Sequence, residues 1–298
     1  MRRLAPRDLG NPHLQIHICV LLWGFTAILG RLITLAAVPL VFWRMLLVSL
    51  ALLCLPPVWR RLAAVGRRDF AACAGAGVLV TLHWACFYGA VKLSNASVGV
   101  TSMALAPMFL AFAEPFLLRQ PFVRREMFLA LACIPGVVLV VGGIPPGMLA
   151  GFALGALSSV FVALFSIANK RLTMRVSALA LTAIEMGTGA VLLGALAPAW
   201  LGRGEVLSLP GGADLAWLLV LAIACTLVPF ALSMIALRRI SAFSAQLAVN
   251  LEPVYAIAIA SVLLGEGRQL RWPFYLGVTL ILAAVLVNAQ RRPPLPAS

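Results

Sequence analysis

Charge is scarce in this sequence. Only 11% of its 298 residues are Asp, Glu, Lys or Arg, and just 9 of them are acidic. Soluble domains carry about 25% charged residues, and 63% of this chain is hydrophobic, so a water-facing globular fold is excluded. The same arithmetic excludes disorder and coiled coils. Histidine is rare at 3 residues, and the 6 cysteines (Cys19, Cys54, Cys73, Cys86, Cys133, Cys225) all lie in apolar runs without a C-x-x-C pair. A disulfide framework or a metal site has little to build on, and the thiols read as small packing groups. No G-x-x-x-x-G-K-[ST] phosphate loop occurs, so neither ATP nor any other cofactor is expected. The apolar run after Met1-Arg2-Arg3 is too long, and too poor in small residues at its end, for a cleaved signal peptide.

What the chain has is apolar length. A helix needs about 20 mostly apolar residues to cross a bilayer, and ten runs qualify: 14–36, 38–58, 70–91, 95–118, 127–144, 148–168, 176–199, 213–237, 241–264 and 272–290. Turn residues such as Ile144-Pro145-Pro146-Gly147 and Leu209-Pro210-Gly211-Gly212 separate several of them. The expected fold class is an all-α integral membrane protein with ten transmembrane helices and no extramembrane domain.

The net charge of +14 would point to nucleic acid in a soluble chain. Here the basic residues form short clusters between apolar runs, with no aromatic-interleaved face, and they record topology instead. With a cytoplasmic N-terminus, 17 of the 23 Lys and Arg lie on the cytoplasmic side, and Lys92, Arg203, Arg268 and Arg271 lie opposite. Both termini are therefore expected in the cytoplasm, with a bacterial inner (plasma) membrane as the location.

Ten helices divide into two sets of five, and an odd number per half makes any duplication inverted. A shift of 146 residues lays Tyr88-Gly89-Ala90-Val91-Lys92 on Met234-Ile235-Ala236-Leu237-Arg238, and Leu105-Ala106-Pro107 on Leu251-Glu252-Pro253. The expected organisation is a tail at 1–13, five-helix repeats at 14–144 and 148–290, and a tail at 291–298.

Several motifs carry a resemblance. They are Leu22-Trp23-Gly24-Phe25 with Arg31, Pro39 with Phe42-Trp43-Arg44, Ala106-Pro107, and Leu251-Glu252-Pro253 followed by Leu264-Gly265-Glu266. In this order, over nearly the whole chain, the sequence resembles the EamA-type drug/metabolite transporters. Its first and third helices, with His83-Trp84 and Phe87-Tyr88, most resemble YddG-type exporters of amino acids and methyl viologen. The resemblance implies a central cavity lined by helices 1, 3, 4, 6, 8 and 9, with helices 2 and 7 at its periphery.

Charge within a span is costly and usually faces a cavity or a partner. Arg31, Arg44, Glu185 and Glu252 are the candidates for coupling or structural charge. Glu252 stands before Pro253 in a broken span, where an ion or substrate site and a salt bridge to Arg31 or Arg44 are equally open. A shift of 141 lays Glu185 on Arg44, and their peripheral helices imply packing or gating. His83 could bond substrate, carry a proton, or simply bond a carbonyl. The mid-span aromatics Trp23, Trp84, Tyr88, Phe165, Phe230 and Tyr255, with Asn250, are candidate substrate contacts through stacking and cation–π attraction. Pro107, Pro229 and Pro253 are candidate hinges.

The expected function is a secondary exporter of small amphipathic metabolites, most of all amino acids, by alternating access. Its partners would be the lipid bilayer, a small-molecule substrate and, as a candidate, protons. A multidrug or quaternary-cation exporter is the alternative, although helix 1 lacks an acid. An intramembrane enzyme would need a nucleophile and base at one depth, and no such pair is evident.

Overall fold

The computed structural model describes residues 11–119, 121, 122, 124–241, 245, 248, 249 and 251–289, with the backbone alone described at 125, 126, 129, 130, 203 and 284–289. All regular structure among these residues is helical. The elements are α1 (Pro12–Gly24), α2 (Thr26–Leu32), α3 (Ala37–Leu53), α4 (Pro56–Ala63), α5 (Arg67–Leu93), α6 (Ala96–Met103), α7 (Ala106–Leu118), α8 (Arg124–Ala132) and α9 (Ile134–Gly143). The second half holds α10 (Leu149–Leu172), α11 (Ala178–Leu201), α12 (Arg203–Leu207), α13 (Gly212–Ala222), α14 (Val228–Leu237), α15 (Glu252–Leu263) and α16 (Trp272–Ala289). Among the described residues, six helical stretches are long and apolar enough to cross a membrane, or seven if the bent α3–α4 pair is one span, and α9, α15 and residues 272–283 are shorter apolar helices.

Proline decides most of the interruptions, because it lacks an N–H and pushes the preceding residue out of helical geometry. The run expected to continue to 58 instead ends at Leu53 and turns by 93° into α4, whose first residues are Pro56 and Pro57. The runs at 95–118 and 127–144 are each broken just before Pro107 and Pro135. Pro107 and Pro253 both open the second piece of a broken helix, at the matching positions of the two halves. A second correspondence is a cation that closes each half. Lys92, ending α5, donates to the Ile33 carbonyl after α2, and Arg238, after α14, donates to the Val176 carbonyl after α10.

Hydrogen bonds, partly buried at Asp214 and buried at Glu266, cross between the halves at one end of the bundle. Asp214, opening α13, accepts from the Thr34 amide at 2.9 Å and its hydroxyl at 2.6 Å. Glu266, beyond α15, accepts from the Ala96 amide at 3.0 Å and from the Ser97 amide and hydroxyl at 2.9 and 2.8 Å. A carboxylate there satisfies two orphan donors of the first turn of α6 and meets the positive end of its dipole. Replacing Glu266 with Ala leaves those amides buried and unpaired, at a cost of about 3 kcal/mol. Thermal unfolding in detergent should show that loss, with Glu266→Gln recovering part of it.

Candidate functional site

A cavity of about 110 Å³ lies between the halves. Residues of α1, α2, α5, α6, α10, α14 and α15 line it, as does Arg44 of α3. Helix 2 therefore reaches the cavity through one arginine, whereas the family resemblance placed it at the periphery.

Arg44 is 2% exposed, and its guanidinium lies over the Trp84 ring, 3.7 Å from the ring centre. Its Nη1 donates to the Tyr88 hydroxyl and its Nε to Thr226 Oγ1, each at 2.7 Å. Thr226 sits in a π-helical turn, Ile223–Leu227, immediately ahead of Pro229. The wider turn lets its hydroxyl donate five residues back, to the Leu221 carbonyl at 2.6 Å, while its lone pair accepts from Arg44. The arginine is thus fixed on an aromatic face by two neutral partners. Among the described residues it forms no ion pair and no hydrogen bond beyond these two.

Glu252, 7% exposed, lines the same cavity. It forms no ion pair with Arg44, and among the described residues its carboxylate receives no hydrogen bond. Arg44 and Glu252 therefore border the same chamber, with Thr26, His83, Ser166 and Ser233 among its polar lining, without forming an ion pair. Trp84, Phe230 and Phe165 continue the wall as a row of rings with centroids 5.6 and 5.7 Å apart.

His83 is fixed by Ser158 of α10. The Ser158 hydroxyl donates to the His83 carbonyl at 2.7 Å, so His83 Nδ1 must be the donor to Ser158 Oγ at 2.8 Å. This network assigns the Nδ1–H tautomer and leaves Nε2 as an acceptor, on a ring that borders the cavity.

The structure brings Trp23, His83, Trp84, Phe165, Phe230, Arg44 and Glu252 together on one cavity wall. Tyr88 stands behind that wall, fully buried, as the support of Arg44. Tyr255 is 41% exposed and does not border the cavity, and its Cβ instead closes on Gly24 of α1. Asn250 lies outside the described residues. Arg31 is exposed in the last turn of α2, and Glu185 is fully buried but away from the cavity. Pro107, Pro229 and Pro253 each lie at a helix interruption. Sequence reasoning missed Thr226 and Ser158. The signal for Thr226 was a hydroxyl residue three places before a mid-span proline, and Ser158-Ser159 was a polar pair in an apolar run.

Long apolar helices in two matching halves, around a cavity that holds unpaired charge, define a multi-pass membrane transporter. The EamA-like transporter family matches residues 12–142 and 149–290, and the chain belongs to that family, within the drug/metabolite transporter superfamily. Members of the family are transporters and not enzymes. A solved structure described only as "Crystal structure of protein" superposes with a TM-score of 0.68 at 17% identity, covering 94% of this chain and 96% of the other, and so shares its fold. No curated protein matches the chain.

Proposed function

We propose that the protein exports zwitterionic amino acids across a bacterial inner membrane, by alternating access between two inverted five-helix halves with both termini in the cytoplasm. The observation that carries this reading is the pair Arg44 and Glu252, unpaired in one cavity. An amino acid supplies the missing partners, its carboxylate for the guanidinium and its ammonium for the carboxylate. The row of Trp84, Phe230 and Phe165 takes its side chain.

Ten spans would fit the same reading, with α8–α9 serving as one broken span and α15 as part of another. The ties of Asp214 and Glu266 lie at the end that the basic residues mark as external. The cavity lies toward the other end, reaching Ile16 near the start of α1 and Leu237 at the end of α14. That arrangement supports a chamber that loads from the cytoplasm. A proton exchanged at Glu252 or His83 would couple export to a gradient, which transport into liposomes with and without a pH difference measures.

Counterflow of labelled phenylalanine, methionine and threonine in proteoliposomes tests the substrate class. Unlabelled amino acid should compete, while its methyl ester and its N-acetyl derivative, each lacking one charge, should compete at least tenfold less. Equal competition by all three would sink the zwitterion reading. A planar dication such as methyl viologen competing best would favour the multidrug alternative, against which Arg44 now stands as a repelling charge. A chemically altered product would mark an enzyme.

A further inference from the structure

Glu185 lies in α11, outside the cavity, and is fully buried. Neither of its carboxyl oxygens has a hydrogen-bond partner. Its polar neighbour is Asn169 of α10, also fully buried, whose Oδ1 and Nδ2 are likewise unpaired. Among the described residues no charged side chain forms an ion pair with Glu185. The titratable group beside it is the Cys73 thiol of α5, while α3 contributes Ser49 to the next turn, against Gly187. The α5 backbone comes so close that a Cβ on Gly77 would lie 2.8 Å from the Glu185 carbonyl. Four buried polar atoms from two side chains therefore meet without partners, and an ionised carboxylate would stand there with no countercharge.

The donor inventory shows what resolves this. A carboxylate offers only acceptors, so it can take an N–H from Asn169 but must leave Asn169 Oδ1 and one of its own oxygens unpaired. A carboxylic acid is complementary to a primary amide: its O–H donates to the amide oxygen, and the amide N–H donates back to its carbonyl oxygen. One added proton provides partners for all four atoms. We propose that Glu185 and Asn169 form a proton-binding site, separate from the cavity, in which the Glu185 carboxylic acid pairs with the Asn169 amide. The site does not rest on the cavity's being a substrate site. Toward the end where α5 begins and α10 has ended, Arg175 and Asp69 form an ion pair 3.5 Å long.

Infrared spectroscopy of the purified protein in lipid tests this. The carbonyl stretch of a protonated carboxylic acid should be present near neutral pH, shift on deuteration, and vanish in Glu185→Gln. That variant replaces the acid with an amide of the same shape, which can pair with Asn169 and so preserve the fold. Asn169→Ala should keep the band but move it to higher frequency, since the acid loses its partner. Glu252→Gln, which alters the cavity, should leave this band in place. Failure of the zwitterion reading in counterflow does not touch these outcomes. A spectrum in which Glu185→Gln removes only carboxylate bands overturns the proposal, as does an unmoved band in Asn169→Ala. A melting temperature raised by sodium but not by choline, in wild type and not in Glu185→Gln, would show an alkali cation there instead and equally overturn it.

Discussion

Arg44→Met is expected to weaken amino-acid binding by about 100-fold, or on the order of 3 kcal/mol, as measured by counterflow competition. The size follows from the setting. A substrate carboxylate in this chamber leaves water for a guanidinium 2% exposed and backed by aromatic rings, and without that cation it stays desolvated and unpaired. Arg44→Lys should recover only part of the loss. A lysine keeps the charge but loses the planar stacking on Trp84 and cannot reproduce the two fixed bonds to Tyr88 and Thr226. Both variants also remove the donor that those hydroxyls accept from, so melting temperature should fall as well. Tyr88→Phe separates the effects, because it removes one strut, worth about 1 kcal/mol, and leaves the charge. If Arg44→Met melts early but binds substrate normally, the arginine is only a strut, and Glu252 faces a cavity with no anion site.

The second large effect is structural. Gly143→Ala should destabilise the protein by about 3 kcal/mol, and the adjacent Gly142→Ala should be neutral or slightly stabilising. A Cβ at Gly143 would stand 2.2 Å from the Phe274 amide nitrogen, which no rotamer change can relieve. At Gly142 nothing lies within 4 Å. The same seam has Gly136 and Gly277 in mutual contact, with a Cβ on Gly277 only 2.4 Å from the Gly136 carbonyl. α9 and α16 thus touch backbone to backbone, the close approach that small residues permit between helices in lipid. Equal melting temperatures for the two neighbouring variants would show that this seam yields.

Proline and charge made much of this legible in the sequence. Pro107 and Pro253 marked matching interruptions, and Arg44 and Glu252 stood out because an apolar chain has so few charges to spend on structure. The faces of the helices were not legible. Where a helix is apolar all round, no periodicity separates a cavity side from a lipid side, so Trp23 and Tyr255 looked alike, although one borders the chamber and the other packs outward against α1. Glu266 was visible only as part of the Leu264-Gly265-Glu266 motif and Asp214 not at all, yet both are buried at 2% and 9% exposure. Their partners are backbone amides and hydroxyls of Thr34, Ala96 and Ser97, far away in the chain. Thr226 needed a π-helical turn to reach Arg44, and local propensity carries no such signal.

The corner between α3 and α4 offers a practical handle. Cys54 is exposed at that 93° bend, while Cys19, Cys73, Cys133 and Cys225 are buried and Cys86 is half-buried. A polar maleimide dye should attach at Cys54 first, without deletion of the other thiols. A fluorophore there sits beyond the end of the helix that carries Arg44, so its emission can follow rocking of that helix in the unmodified sequence while substrate is added.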